Sequence, residues 1–523
     1  CPRLYKGTPT IPLRNVAVST HAHVPHPTMR TPVSSDLLAA GPALCAVVGL
    51  AGFSIGFFAW LALIAPHHYA FVSDLGLLVA LAGGTSATLW LWQWYARYFS
   101  RRTGATYARS LRYDAFTWAP FLLLWLTFVL PLGLTHGESR IFVACAAVFC
   151  LGKVLIAARF NQTVREVLLD FVATRTAIIV IAELAAVIIG QRAGSHVQES
   201  SHALLNVWGR WDAVHYLAIA TQGYAGTDMA FFPLFPLLIR ILGSLVGNHL
   251  VAGLLISNAS FFFGLLYLYK LLEHEYDRSV ARRAIFYVSI FPSAFFFSAV
   301  YTESLFFMLT VASFYYMRMH RWWFAGAIGF LAALTRVEGV LLVVPFLIEW
   351  YSQYKPNLKQ HLSNLLPGGL IPLGLFTYMA FLWVLVGDPL YFSHVQIHWN
   401  RHFALPWVSV VNSLHQIATA TQGQTIANQL MELSFTFLMI GVLIVGWKQL
   451  RPSYIAYMAL SILIPMSTSS LMSMPRFALV LFPMFAILGR DGERPWVNNL
   501  ILAFSLPLLG LFTVLFADWY WVA

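Results

Sequence analysis

Uncharged apolar runs recur from about residue 40 to residue 517, separated by short connectors. A lipid interior offers no water to an unpaired backbone group, so such runs can fold only as transmembrane helices or as a closed barrel. The alternating pattern of barrel strands is absent. Only 10% of the residues are charged, against about a quarter in ordinary soluble domains. The expected fold is all-α, a polytopic integral membrane helical bundle.

Spans are expected near 40–64, 76–96, 115–135, 140–158 and 172–191, then near 248–270, 284–300, 303–317, 322–335, 337–350, 366–386, 430–447, 454–471, 477–489 and 497–517, about fifteen in all. The formal charge of +11 is carried by short clusters between these runs. Connectors 98–113, 157–175, 269–283, 317–323, 351–361, 447–454 and 489–496 are basic, whereas 66–74 and 135–140 are not. The lysine and arginine bias of cytoplasmic loops then places the N-terminus and the basic connectors inside, and the stretch from Gln191 to about Gly247 outside. Topology accounts for the charge, and no nucleic-acid partner is expected.

Cys1, Cys45, Cys145 and Cys150 form no CxxC pair and read as small buried hydrophobes. The first residue is Cys and not Met, which reads as a start that is not native. Residues 1–37, rich in Pro, Thr and His and without an apolar core, are expected to be a disordered cytoplasmic tail. Residues 38–195 would form an N-terminal transmembrane module of about five helices, and 196–523 a second transmembrane region. No repeat, GxGxxG, Walker lysine motif or HExxH is present, so nucleotide and zinc-protease chemistry lack support.

One outer segment, WGRWDAVHYLAIATQGYAGTDMAFFPLFP from Trp208, concentrates acids, a histidine, aromatics and prolines. Outside a membrane there is no supply of nucleotide sugars, so a sugar-transferring enzyme there must draw on a lipid-phosphate donor. Such a reaction needs a carboxylate to take the acceptor proton, a cation for the departing phosphate and an apolar slot for the lipid. Asp212 is the expected base, the competing role being a helix cap. His215, three residues on and on the same helical face, would orient the acceptor or assist proton transfer. Arg210 would pair with Asp212 or touch phosphate, unless it only anchors topology. Asp228, in GTD, reads as an Asx-turn residue or a substrate ligand; FFPLFP reads mainly as turn-shaping.

Further along, Glu303 in YTES is either a helix-terminal acid or a contact to substrate or metal. Arg336 and Glu338 in TRVEG sit between apolar runs, where charges are expensive; they serve a site or form a structural pair. His394, His398 and His402 recur every fourth residue, as in a metal ladder or an interfacial amphipathic helix; the second is favoured because Arg401 intervenes. Arg401 and Arg476 are the cations assigned to the donor phosphate, because guanidinium binds phosphate bidentately.

The motifs RWDAVHYLAIATQGY, AFFPLFPLLIR, FPSAFFFSAVYTESLF, LAALTRVEG, GDPLYFSHVQIHW and SMPRFALVLFPMF, in this order across about residues 205–490, resemble bacterial relatives of the second mannosyltransferase of GPI-anchor synthesis. That is the PIG-V-like branch of the GT-C glycosyltransferases. The resemblance implies a multispanning enzyme that passes a hexose, mannose above all, from a polyprenyl-phosphate donor to a glycan or lipid acceptor with inversion. The family's acidic base falls on Asp212 and its neighbour on His215. Trp211, Tyr216, Gln396 and Trp399, which stand in these motifs, complete the expected substrate- and donor-binding set. No metal or other cofactor is expected. The resemblance also implies a bacterial-type plasma membrane, surrounding lipids as partners and an active site on the extracytoplasmic face. A lipid-linked sugar transporter or flippase, or a ligase or polymerase acting on lipid-diphosphate glycans, would carry similar outer charges.

Overall fold

The chain divides into two compact units, Cys1–Phe99 and Ser100–Ala523, and the fold below is that of the second. A computed structural model describes residues 161–189 and 203–522 continuously, with isolated positions between 97 and 159. The expected tail at 1–37, the spans at 40–64, 76–96 and 115–135, most of 140–158 and all four cysteines lie outside the described residues.

Every long element among the described residues is helical, and the sole extended pairing is an isolated bridge between Phe403 and Thr468. Five helices are long and apolar enough to cross a membrane: Gln162–Ile188 (α1), His249–Glu275, Asn357–Val386, Gly423–Gly446 and Pro495–Ala517. The other expected spans after residue 161 are shorter or broken helices, so about fifteen full crossings do not follow from this part of the chain.

Helix starts are set locally. Asn161 caps α1 by accepting the Val164 N–H at 3.2 Å. Between them lie Asp212–Gln222 (α2) and Leu234–Val246 (α3). Asn248 caps His249–Glu275 (α4) through Val251 N–H at 3.0 Å, and Asp277 caps Arg278–Ser289 (α5) through Ser279 and Val280 N–H. Then come Glu303–Arg318 (α6), Trp322–Ala333 (α7), Val343–Tyr354 (α8), Leu370–Val386 (α9) and Pro406–Thr419 (α10). Gly423–Gly446 (α11), Pro452–Met466 (α12), Met474–Val480 (α13), Phe482–Asp491 (α14) and Pro495–Ala517 (α15) complete the unit. Prolines at the first turn of α10, α12 and α15 sit where a missing N–H costs nothing. The core joins α4 to α6, α6 to α7, α7 to α9, α5 to α14 and α15 to α1.

Two expected spans are corrected. The run 284–300 is not one helix: α5 stops at Ser289, and after Phe291-Pro292 the chain makes only a 3-10 turn at Ala294–Phe297. Pro292 lacks an N–H and clashes with a continuing helix. Such irregular backbone survives at membrane depth only when protein satisfies it. Here Arg175 does so, donating to the carbonyls of Ser289 at 2.6 Å and Ala294 at 2.7 Å, while Ser293 Oγ donates to Pro475 O at 2.9 Å. Arg175 also corrects the span at 172–191. That helix begins at Gln162, and Arg175, counted with the basic connector, is buried within α1. Arg175→Leu orphans two buried carbonyls and is expected to cost about 2 kcal/mol or more, read as a lower thermal midpoint of the detergent-purified protein.

Candidate functional site

The site is built where the chain turns into α2. Trp211 has φ 57°, a left-handed conformation that a bulky residue adopts only when its surroundings impose it. The surroundings are specific. Arg210, 1% exposed, donates to the carbonyl of Ala517 at the end of α15, and its guanidinium lies 5.2 Å from the Trp519 ring. Tyr301 Oη donates to Arg210 O at 3.0 Å. The Trp211 ring packs on Trp519 and Trp521 at 5.6 and 5.3 Å. This turn sends Arg210 and Asp212 to different partners, so the expected Arg210–Asp212 pair does not form.

Asp212 instead opens a chain of ionic contacts. Its Oδ2 accepts from Arg476 at 2.5 Å, while Oδ1 makes no hydrogen bond among the described residues. Arg476 Nε donates to Glu303 Oε1 at 2.6 Å, the same oxygen receives Arg336 at 3.0 Å, and Arg336 reaches Glu338 at 3.4 Å. Glu303 is 0% exposed, at the start of α6. A carboxylate buried between two guanidiniums trades its lost hydration for two charge-assisted bonds. Aromatic faces add to this, with Tyr301 4.9 Å from Arg476 and Phe477 5.3 Å from Arg336.

Beside this chain lies a cavity of about 160 Å³, smaller than the ~300–1,000 Å³ of drug-sized pockets. Its lining is rich in charged side chains. Asp212, Tyr216, Arg336, Glu338, Gln396, Trp399, Arg401 and Arg476 all line it. Arg401 differs from the other two cations. It donates to the Met472 carbonyl, forms no ion pair among the described residues, and its buried Nε has no hydrogen-bond partner among them. Burial holds its guanidinium below its ordinary pKa, opposed chiefly by the nearby Glu432 carboxyl. The Tyr216 phenol is pushed far above its usual range by burial and then by the Glu303 and Asp212 carboxylates; it donates or accepts at Thr302 Oγ1, 3.3 Å away.

His215 and Asp228 stand at the edge. Their side chains meet at 2.7 Å through Nδ1, so Asp228 serves His215, and among the described residues its carboxylate makes no Asx-turn bond. The imidazole stacks on Phe231 at 4.6 Å, and Trp399 closes the group at 6.3 Å from His215. A carboxylate at Nδ1 fixes the tautomer that leaves Nε2 as an acceptor.

The histidine ladder does not form. Tyr391–His394 is one α-turn, Val395–Trp399 is a 3-10 turn, and Asn400 at φ 54° reverses the chain, so the three imidazoles share no helical face. His394 bonds Asp388 and His398 bonds the Val395 carbonyl. Nor does this segment form the continuous amphipathic helix. Among the described residues no group of three or more His, Cys, Asp or Glu is arranged to hold a metal ion.

Of the expected site residues, eight line one cavity; His215, Asp228 and Glu303 support it from the side or beneath, and Arg210 and Trp211 belong to the turn that presents Asp212. Sequence reasoning missed Thr302, Thr335, Met472, Ser473 and Trp521 in the lining, and Glu432 behind it. Glu432 carried a usable signal, a lone acid inside an apolar helix. The others carried none.

Residues 159–362 match the family model described as Mannosyltransferase (PIG-V). The match begins inside the expected N-terminal module and takes in α1, Asp212, His215, Asp228, Glu303, Arg336 and Glu338, but neither Arg401 nor Arg476. Among curated relatives, GPI mannosyltransferase 2 of Yarrowia lipolytica is 26% identical over 38% of this chain and 59% of its own length. GPI alpha-1,6-mannosyltransferase 2 of Mus musculus is 29% identical over 34% and 41%, and that of Cricetulus griseus 32% identical over 29% and 33%. The chain thus spans about a third to three-fifths of the length of the curated relatives it matches. No solved structure matches it. The matched region is similar to a family described as mannosyltransferases, and five apolar helices among the described residues are long enough to cross a membrane.

Proposed function

We propose that this integral membrane protein is a GT-C-type mannosyltransferase that moves mannose from a polyprenyl-phosphate donor to an acceptor hydroxyl on the extracytoplasmic face of a bacterial-type plasma membrane. The observation that carries the reading is one small cavity holding the Asp212 carboxylate and the Arg401 guanidinium, the latter without a carboxylate partner among the described residues. The names of the relatives supply mannose as the sugar.

In this reaction Asp212 Oδ1 takes the proton of the acceptor hydroxyl, whose oxygen attacks the anomeric carbon. The bond from that carbon to the phosphate oxygen breaks on the opposite side, which inverts the centre, and polyprenyl phosphate leaves with the electron pair. Arg401 neutralises the departing phosphate, while Arg476 holds Asp212 through its other oxygen. Arg476 was an equal candidate for the phosphate on sequence; its engagement with Asp212 and Glu303 favours Arg401. His215, Trp399, Gln396 and Tyr216 would position sugar hydroxyls, and the acceptor is a glycan or lipid.

Membranes containing the chain, incubated with labelled polyprenyl-phosphate mannose, should yield a mannosylated product by mass spectrometry. If reconstituted vesicles move the lipid-linked sugar across the bilayer without transfer, the transporter reading replaces this one; consumption of a lipid diphosphate alone favours a ligase or polymerase. Arg401→Lys, which loses the forked donor set, is expected to reduce transfer about tenfold through a higher donor KM. An unchanged KM removes Arg401 from the phosphate.

A further inference from the structure

Glu432 lies within α11, 2% exposed, in a helix whose other residues fit a membrane span. Its two carboxyl oxygens are both used. Oε1 accepts the Ser473 N–H at 3.0 Å and Oε2 the Met474 N–H at 2.8 Å. Ser473 has φ 76°, a left-handed conformation that a residue with a side chain holds only when its neighbours fix it. The turn so fixed touches both cations on this wall of the cavity. The Met472 carbonyl receives Arg401, and Arg476 follows two residues after Met474, with its own N–H donated to Ser473 O at 3.0 Å.

We infer that Glu432 is a positioning residue for the proposed transfer: by clamping the Met472–Met474 turn from behind, it sets where the Arg401 and Arg476 guanidiniums stand in the cavity. Two features separate this from generic helix packing. The two N–H groups are met by separate oxygens of one carboxyl fork, an arrangement that an apolar residue at this position of α11 could not supply. The clamp also links three elements at the cavity wall: α11 supplies the acid, the 472–474 turn the two N–H groups and the Met472 carbonyl, and the chain just after the 395–399 turn the Arg401 guanidinium. The inference rests on the proposed reaction only for what the two cations do.

The test compares full-length wild type, Glu432→Gln, Glu432→Asp, Arg401→Ala and Glu432→Gln with Arg401→Ala, each purified in detergent. Amide exchange at Ser473 and Met474 reads the clamp, and binding of a polyprenyl monophosphate reads its consequence. Glu432→Gln should accelerate exchange at both amides at least tenfold and weaken the polyprenyl monophosphate about tenfold. In the Arg401→Ala background the same substitution should change affinity less than twofold, because the group it positions is gone. A merely structural role predicts equal weakening in both backgrounds and overturns the inference, as does unchanged exchange at Ser473 and Met474. Should Glu432→Gln not accumulate, Glu432→Asp, which withdraws the carboxyl by one methylene, is read in the same way. If wild type fails to bind polyprenyl monophosphate, or Arg401→Ala binds it equally well, the donor-phosphate reading falls, while the exchange data still decide whether Glu432 holds the turn.

Discussion

Asp212→Asn is expected to lower transfer by about 10²–10⁴-fold, the contribution of a positioned general base. The substitution is nearly isosteric, and the amide oxygen of Asn can still accept the Arg476 N–H that Asp212 Oδ2 receives at 2.5 Å. Folding and donor binding should therefore stay near wild type, and the loss should fall on kcat. Glu338 is the other acid in the cavity lining, already engaged by Arg336 at 3.4 Å. Glu338→Gln serves as the comparison: it should cost far less turnover than Asp212→Asn. Wild-type turnover in a folded Asp212→Asn protein removes Asp212 as the base, and a larger loss in Glu338→Gln transfers the role.

Removal of the buried acid beneath the cavity should act on the fold itself. Glu303 is 0% exposed and its Oε1 is shared by Arg476 at 2.6 Å and Arg336 at 3.0 Å. Glu303→Gln leaves Arg476 only Asp212, and Arg336 only Glu338, as counter-ion, with a neutral amide between the two guanidiniums. Removing one partner of a buried ion pair costs about 3–5 kcal/mol, and here the acid removed is the one that both guanidiniums share. A marginally stable membrane domain should respond with a sharp fall in folded yield and thermal midpoint. A Glu303→Gln protein that accumulates normally and unfolds at the wild-type temperature would show that the ionic chain is not the scaffold of the site.

The residues that sequence reasoning singled out fall into two groups for a physical reason. Charged groups in apolar surroundings are costly wherever they sit, so Asp212, Glu303, Arg336, Glu338 and Arg476 could be picked without any knowledge of their neighbours. Their pairings could not. Arg210, two residues from Asp212, was the natural partner on a linear reading, yet the left-handed backbone at Trp211 turns it to the end of α15. Four-residue spacing of His394, His398 and His402 suggested a helical face, but a 3-10 turn and the reversed backbone at Asn400 break that periodicity. Periodicity also misread 284–300, where Pro292 ends the helix and Arg175, more than a hundred positions away, supplies the missing hydrogen bonds.

By itself the sequence determined that the described part of this protein is a helical membrane bundle with its polar residues rationed to a few stretches, because hydrophobicity and helix capping are properties of neighbouring residues. Only the tertiary structure decided that Asp212 is held by Arg476, 264 positions away, that one glutamate serves two arginines, and that Arg401 is, of the three arginines lining the cavity, the one that forms no ion pair among the described residues. A buried charge must be satisfied by whatever group packing brings within hydrogen-bond reach, and that choice is made between helices.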